Sequence, residues 1–354
     1  MQYEIISLQP LRIENSSYSE ALSLLIKDGT VEIKFIEFSL FKQVSIILHG
    51  FEDKRLFLKI FTNIYEIIKL LFSENKTLII GAAPFSIVVF LLNKLKLKHK
   101  CIYYTSWPYW DGKKYLEKIY FASQMTAWRE FLNGTISAGV TKASCEGVAK
   151  YGAKSFYMPH SVDTDLFVPA SHKTPSDKVR VLYVGKFLRI KGMPLLVNLI
   201  KKYSWQNIEF LVAGGGPYEK EIVRLQNENY PVRYLGFIRD KKELVSIYQN
   251  SDIVILPSFH ENFGIVLIEA MSCQIPVISS DCAGPSEIVD DGENGFLVAK
   301  NDEAGFRDAI LKLEASADLR NQFGRNGREK VIKMYDVKEA AMRWKNVIEM
   351  VHHT

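Results

Sequence analysis

The residues best placed to do chemistry lie in Ser258-Phe-His-Glu261-Asn-Phe263-Gly264-Ile265-Val-Leu-Ile-Glu269-Ala-Met. Two carboxylates, Glu261 and Glu269, stand eight positions apart. The pattern puts Glu261 in a polar turn after a short apolar strand. Gly264 then opens an apolar helix, with Glu269 about one and a half turns into it. A carboxylate at the mouth and another on the helix can grip two ends of one polar ligand. The first amides of the helix, near Gly264 and Ile265, lack intrahelical acceptors and suit a phosphate between those ends. That is the outline of a nucleotide-sugar site. Glutamate near a helix start is also favoured by the helix dipole alone, so the motif needs its context.

The context is a run of alternating strands and helices from about residue 179 onward. Apolar strands are expected at Val179–Val184, Ile208–Ala213, Val232–Leu235, Ile253–Leu256, Val277–Ser279 and Phe296–Val298. Helical spacing falls between them, at Met193–Tyr203, Glu219–Asn227 and Lys241–Gln249. Such alternation predicts a parallel sheet with helices on both faces, and ligands beyond the carboxyl ends of its strands. The glycines at 185, 214–216 and 284 all fall at those ends. Lys186 and Lys191, flanked by Gly185 and Gly192 on one strand-to-helix loop, are candidate phosphate cations, or else ordinary surface lysines.

The first half is less regular. Strands are expected at Tyr3–Leu8, Val31–Phe38, Val44–Leu48, Leu78–Ile80 and Cys101–Tyr104, with an apolar helix over Leu56–Phe72. Gly139–Gly152 reads as a helix and Ser155–Met158 as a strand. The stretch Phe167–Lys178, with Pro169, Ser171, Thr174, Pro175 and Ser176, has linker chemistry. The expected division is therefore 1–166, 167–335 and a C-terminal helix over 336–354. That helix has apolar residues at helical spacing and either caps its own domain or crosses back onto the first.

With 354 residues and 47% apolar residues the chain is long enough for two domains, each with its own core. A net charge of +5 without a long basic arm argues against nucleic acid as a partner. The four cysteines show no metal-ligand spacing and read as reduced thiols. The amino terminus lacks a basic region followed by an apolar run, so a cytoplasmic location is expected. Lys94, Lys96, Lys98 and Lys100 alternate with apolar residues. They are either a solvated helix end or a patch that touches anionic lipid at the inner face of the membrane.

Several segments together resemble one family, the retaining GT-B glycosyltransferases of glycosyltransferase family 4. They are Pro159-His-Ser-Val-Asp163-Thr-Asp-Leu-Phe167, Val184-Gly-Lys186…Lys191-Gly192, Ala213-Gly-Gly-Gly-Pro217, Ser258…Glu269-Ala-Met271, Pro276-Val-Ile and Gly284-Pro-Ser-Glu287. The resemblance covers about residues 135–354. It implies a GT-B fold: two Rossmann-like doubly wound domains with a cleft between them, the first on the acceptor side and the second binding the nucleotide sugar. It implies transfer of a hexose or N-acetylhexosamine from a nucleotide-diphosphate sugar, UDP- or GDP-linked, to a glycan or lipid-linked acceptor, with retention of configuration. Glu261 would approach the transferred sugar's hydroxyls and Glu269 the ribose hydroxyls. Lys186 and Lys191 would hold the diphosphate, with the backbone of Phe263, Gly264 and Ile265 and the glycines Gly185 and Gly215 around it. No cofactor and no metal are expected. The one Asp-x-Asp, Asp163-Thr-Asp165, lies where the family has its domain junction. Two rivals use the same residues: a nucleotide-sugar epimerase or hydrolase, and a non-catalytic subunit of a heteromeric transferase.

Three departures from the family pattern stand out. Lys186 occupies a position where members often carry Arg. Gln274 replaces a glycine that ends the helix with positive φ, at a cost of roughly 1 kcal/mol. The glycine-rich loop after the first strand is missing; Ser16 and Ser17 stand there. Ser106, beside Trp107, lies where many members place a His. These four residues are the acceptor-side candidates.

Overall fold

The computed structural model describes residues 3–8, 17–36, 76–80, 101–106 and 129–352. The chain forms two compact units, one of Met1–Pro159 with Ala340–Thr354 and the other of His160–Glu339.

The first unit holds β1 (Tyr3–Leu8), α1 (Ser17–Lys27), β2 (Val31–Ile36), β3 (Lys76–Ile80), β4 (Cys101–Thr105), β5 (Ile136–Gly139), α2 (Lys142–Ala149) and β6 (Lys154–Tyr157). These strands pair in parallel in the order β2-β1-β3-β4-β5-β6. Every residue of β4 and β5 is buried, as central parallel strands require. The stretch expected as one helix over Gly139–Gly152 divides: β5 ends at Gly139, and Thr141 and Ser144 then bond each other's amides reciprocally, at 3.0 and 2.9 Å. That capping box starts α2 only at Lys142. The expected strand Val44–Leu48, the helix Leu56–Phe72 and the lysines at 94, 96, 98 and 100 lie outside the described residues.

The second unit contains β7 (Val179–Lys186), α3 (Met193–Lys202), β8 (Ile208–Gly215), α4 (Glu219–Asn227), β9 (Val232–Gly236), α5 (Lys241–Gln249), β10 (Ile253–Leu256), α6 (Ile265–Ser272), β11 (Val277–Ser280), α7 (Pro285–Ile288), β12 (Gly295–Val298), α8 (Glu303–Ala315) and α9 (Ala317–Met334). All six strands are parallel, in the order β12-β11-β10-β7-β8-β9. Apolar runs such as Ile253-Val-Ile-Leu256 are buried along their whole length, because helices cover both faces. The core gathers Val181, Tyr183, Phe187, Leu196, Phe210, Ile255, Ile278 and Phe306. The Phe167–Lys178 stretch is fastened to this unit. Ser272 Oγ donates to the Phe167 carbonyl at 2.6 Å, and Gln249 Nε2 donates to that of Val168 at 3.0 Å.

The last helix, α10 (Val337–His352), belongs from Ala340 onward to the first unit. Its Trp344 is buried with its ring 6.0 Å from that of Tyr104, and His352 Nε2 lies 2.8 Å from Thr77 Oγ1. The C-terminal helix therefore crosses back onto the first sheet. Among the described residues no helix is long and apolar enough to span a membrane.

Gln274 follows α6 with φ +63, so this side chain does occupy the left-handed conformation that glycine adopts without strain. Gln274→Gly is expected to raise the unfolding free energy by about 1 kcal/mol. A urea titration would show it as a higher midpoint; a lower one would contradict this account of the helix end.

Candidate functional site

The second sheet, read outward from β7, runs β7-β8-β9 to one side and β10-β11-β12 to the other. Strand order thus reverses between β7 and β10, which pair directly through Ile253↔Val181 and Val254↔Leu182. Crevices at such switch points are where open α/β sheets hold ligands. The loop after β7 carries Lys186 and Lys191; the loop after β10 carries Glu261 and ends at Gly264.

The two loops are stitched together. The Phe259 amide donates to the Ile190 carbonyl at 2.9 Å. Gly192 has φ +78, and a Cβ there would stand 1.9 Å from the Pro257 carbonyl oxygen, so only glycine lets the backbones meet. Beneath them the buried Tyr183 phenol donates to the Lys186 carbonyl at 3.0 Å and reaches that of Lys191 at 3.4 Å. This fixes both ends of the loop that bears the lysines. Lys191 Nζ then donates to Glu261 Oε2 at 2.8 Å, with both side chains partly buried. Lys186 sits exposed at the end of β7, and among the described residues its ammonium makes no ion pair.

Gly185 and Gly215 close the same corner. Gly185 pairs with Gly214 and Lys186 with Gly215 in the β7–β8 register, and the Phe187 amide donates to the Gly215 carbonyl at 2.8 Å. Their common feature is close approach of two strand ends.

Gly264 (φ +99) caps α6 and turns the chain sharply into the helix. No side chain caps this end. The amides of Ile265 and Val266 have no intrahelical acceptor and point out of the helix start. The buried Phe263 ring anchors the turn, edge-on to His160 at 5.1 Å and to Tyr335 at 5.8 Å. Burial pushes the His160 imidazole down to about 4, so it is neutral at pH 7. The Gly284 amide closes the turn by donating to the Glu261 carbonyl at 3.4 Å.

Glu269, on the second turn of α6, accepts a 2.8 Å hydrogen bond at Oε2 from the Tyr248 hydroxyl. Burial raises its carboxyl above the ordinary range, while the Tyr248 hydrogen bond and the charge of Lys241 oppose this. Tyr248 itself is fully buried, and burial next to Glu269 holds its phenol protonated.

The structure therefore brings Lys186, Lys191, Glu261, Phe263 and Gly264 to two adjacent loops at one end of one sheet, with Ile265 and Glu269 on the helix that the second loop opens. Ser106 directly follows β4 in the first unit, partly buried. Ser17 begins α1. Ser16 and Trp107 lie outside the described residues. Asp163-Thr-Asp165 makes a turn: Asp163 Oδ1 accepts the amides of Asp165 and Leu166 at 3.0 and 3.1 Å, and Asp165 pairs with Lys338 at 2.7 Å. The Thr164 hydroxyl donates to Asp336. Tyr183 and Tyr248 have no signature in the sequence, because a tyrosine on a buried strand or helix face looks like any other core aromatic.

Residues 167–330 match the family model described as glycosyl transferases group 1. A D-inositol 3-phosphate glycosyltransferase of Corynebacterium jeikeium is 32% identical over 47% of this chain and 45% of its own. The capsular polysaccharide biosynthesis glycosyltransferase CapM of Staphylococcus aureus is 28% identical over 61% of this chain and 59% of its own. The chain thus spans about half the length of the curated relatives it matches. A glycosyltransferase structure from Rickettsia africae superposes with TM-score 0.75 at 17% identity, covering 99% of this chain and 98% of that one. HepE of Anabaena, solved with UDP and glucose, gives TM-score 0.68 at 15% identity over 98% and 100%. These likenesses show the GT-B fold. The family match over residues 167–330 falls within the unit that carries the Lys191–Glu261 corner, so this part of the chain resembles the glycosyl transferases group 1.

Proposed function

We propose that the chain is a retaining glycosyltransferase that moves a hexose or N-acetylhexosamine from a nucleotide-diphosphate sugar to a glycan or lipid-linked acceptor. The observation that carries this reading is the Lys191–Glu261 ion pair at the switch point, beside the uncapped start of α6. A cation and a carboxylate in contact match a donor whose diphosphate adjoins a sugar's hydroxyls. UDP is the favoured nucleotide, because HepE shares the fold and was solved with it.

In this reading, cleavage of the glycosyl–phosphate bond leaves negative charge on the diphosphate. Lys191, Lys186 and the amides of Ile265 and Val266 meet that charge with dipoles and cations already in place. Glu261 accepts hydrogen bonds from the transferred sugar, and Glu269 from the ribose. The lysines supply the positive charge, so a metal-independent reaction follows. The acceptor attacks on the face from which the phosphate leaves, and the departing phosphate takes the acceptor's proton.

Tyr183→Phe keeps the ring and frees the two carbonyls it ties. It is expected to raise the donor KM about three- to tenfold with kcat nearly unchanged. Equal steady-state constants for variant and wild type would remove Tyr183 from the account.

The proposal is tested by incubating the full chain in EDTA with UDP-glucose, UDP-N-acetylglucosamine or GDP-mannose. An octyl glycoside panel and a prenyl-diphosphate-linked hexosamine serve as acceptors. The expected result is a new glycoside with the donor's anomeric configuration by NMR. Nucleotide release that ignores every acceptor would favour a hydrolase, and an inverted product would overturn the retaining assignment.

A further inference from the structure

The site holds one buried hydrogen-bonding group that the reading above leaves without a task. Tyr248 lies near the end of α5, its ring fully buried and set at 62° to Phe167 with centroids 6.0 Å apart. Phe167 is itself held, because Ser272 Oγ and Arg328 Nη1 both donate to its carbonyl, at 2.6 and 3.2 Å. The phenol is therefore buried against a neighbour that is itself held in place. Its hydroxyl donates to Glu269 Oε2 at 2.8 Å. A glutamate on a helix has three side-chain torsions and samples many positions unless tied. Here one oxygen is tied, and a carboxylate has lone pairs to spare on the other. A vicinal diol presents two hydroxyl donors, the complement of a carboxylate held in one orientation.

We infer that Tyr248 is a positioning residue, whose hydroxyl fixes Glu269 so that its second oxygen accepts from the ribose hydroxyls of the donor. This rests on the assignment of Glu269 to the ribose. A purely structural tyrosine would need the same hydrogen bond to satisfy its buried hydroxyl. The two roles separate in ribose selectivity, which a structural role leaves untouched.

The test is calorimetric titration of UDP and 2′,3′-dideoxy-UDP into the full chain, with the guanine pair in parallel, for wild type, Tyr248→Phe, Glu269→Ala and the double variant. Wild type is expected to prefer the ribonucleotide about tenfold or more, since a site built to bond hydroxyls rejects the analogue lacking them. Tyr248→Phe should bind UDP about five- to tenfold more weakly and the dideoxy form within about twofold of wild type. In the Glu269→Ala background the same change should add nothing to selectivity. Glu269→Asp keeps the charge but draws it away from the phenol, and should lose the preference too. Full preference in Tyr248→Phe, with the wild type discriminating, would overturn the positioning role alone. The same holds for full preference in Glu269→Asp, which covers the case of a Tyr248→Phe that does not fold. A wild type that does not discriminate would overturn both the ribose assignment and the inference.

Discussion

Lys191→Ala is expected to lower kcat/KM for the nucleotide sugar about 10²- to 10³-fold, the usual loss when one fixed stabiliser of developing charge is removed. Lys191 is not a loose surface lysine. The Gly192–Pro257 approach, the Phe259–Ile190 hydrogen bond and the Tyr183 phenol fix its backbone on three sides. Its ammonium is already held at 2.8 Å from Glu261, so little reorganisation is needed when the diphosphate arrives. Most of the loss should fall on kcat, because the charge on the leaving group grows toward the transition state. Lys191→Arg keeps the charge on a differently shaped head and should recover only part of the rate. Lys338→Ala, which removes an exposed pair with Asp165, serves as the control and should leave kinetics unchanged. A loss of less than threefold in Lys191→Ala would contradict the account.

Glu261→Gln is expected to lower kcat/KM for the sugar nucleotide about 10²-fold, while free UDP binds as well as before or a few-fold better. The divergence of the two assays follows from the pair. Glu261 competes with the diphosphate for Lys191, and free UDP has no sugar to compensate for that competition. The complete donor does have one, and loses a charged acceptor for its hydroxyls. Steady-state kinetics and UDP titration on one preparation check both halves. Parallel losses in the two assays would mean that Glu261 holds the loop rather than the sugar.

The loops that carry Lys191 and Glu261 were legible because each has its own local signal. The central apolar runs Ile253–Leu256 and Val277–Ser280 are buried along their whole length, so period and length agree on strands. The corner of Gly264 and Glu269 follows from a polar turn meeting an apolar helix. Other features were hidden for physical reasons. β5 is only Ile136-Ser-Ala-Gly139, four residues with one β-branched side chain, and the small residues after it extend a helical pattern backward. α1 has a weaker signal, in which Ser17 and Glu20 stand at capping-box spacing before Ala21, Leu22 and Leu25, which are buried. The Lys191–Glu261 contact joins residues 70 positions apart. Sequence spacing cannot show it; only the adjacency of β7 and β10 does. The same holds for Tyr248 and Glu269, where a core aromatic gains a role through what its hydroxyl touches. Gln274 shows the converse: a departure from a familiar pattern was visible, and the backbone kept its left-handed turn anyway.

The central claim is that the β7–β10 corner binds a nucleoside diphosphate through Lys191. Calorimetric titration of UDP and GDP into wild type and Lys191→Ala, in EDTA, tests it most directly. The account predicts that one of the two binds the wild type and that the variant binds it at least about tenfold more weakly. Failure of both nucleotides to bind, or equal affinity in the variant, would contradict it.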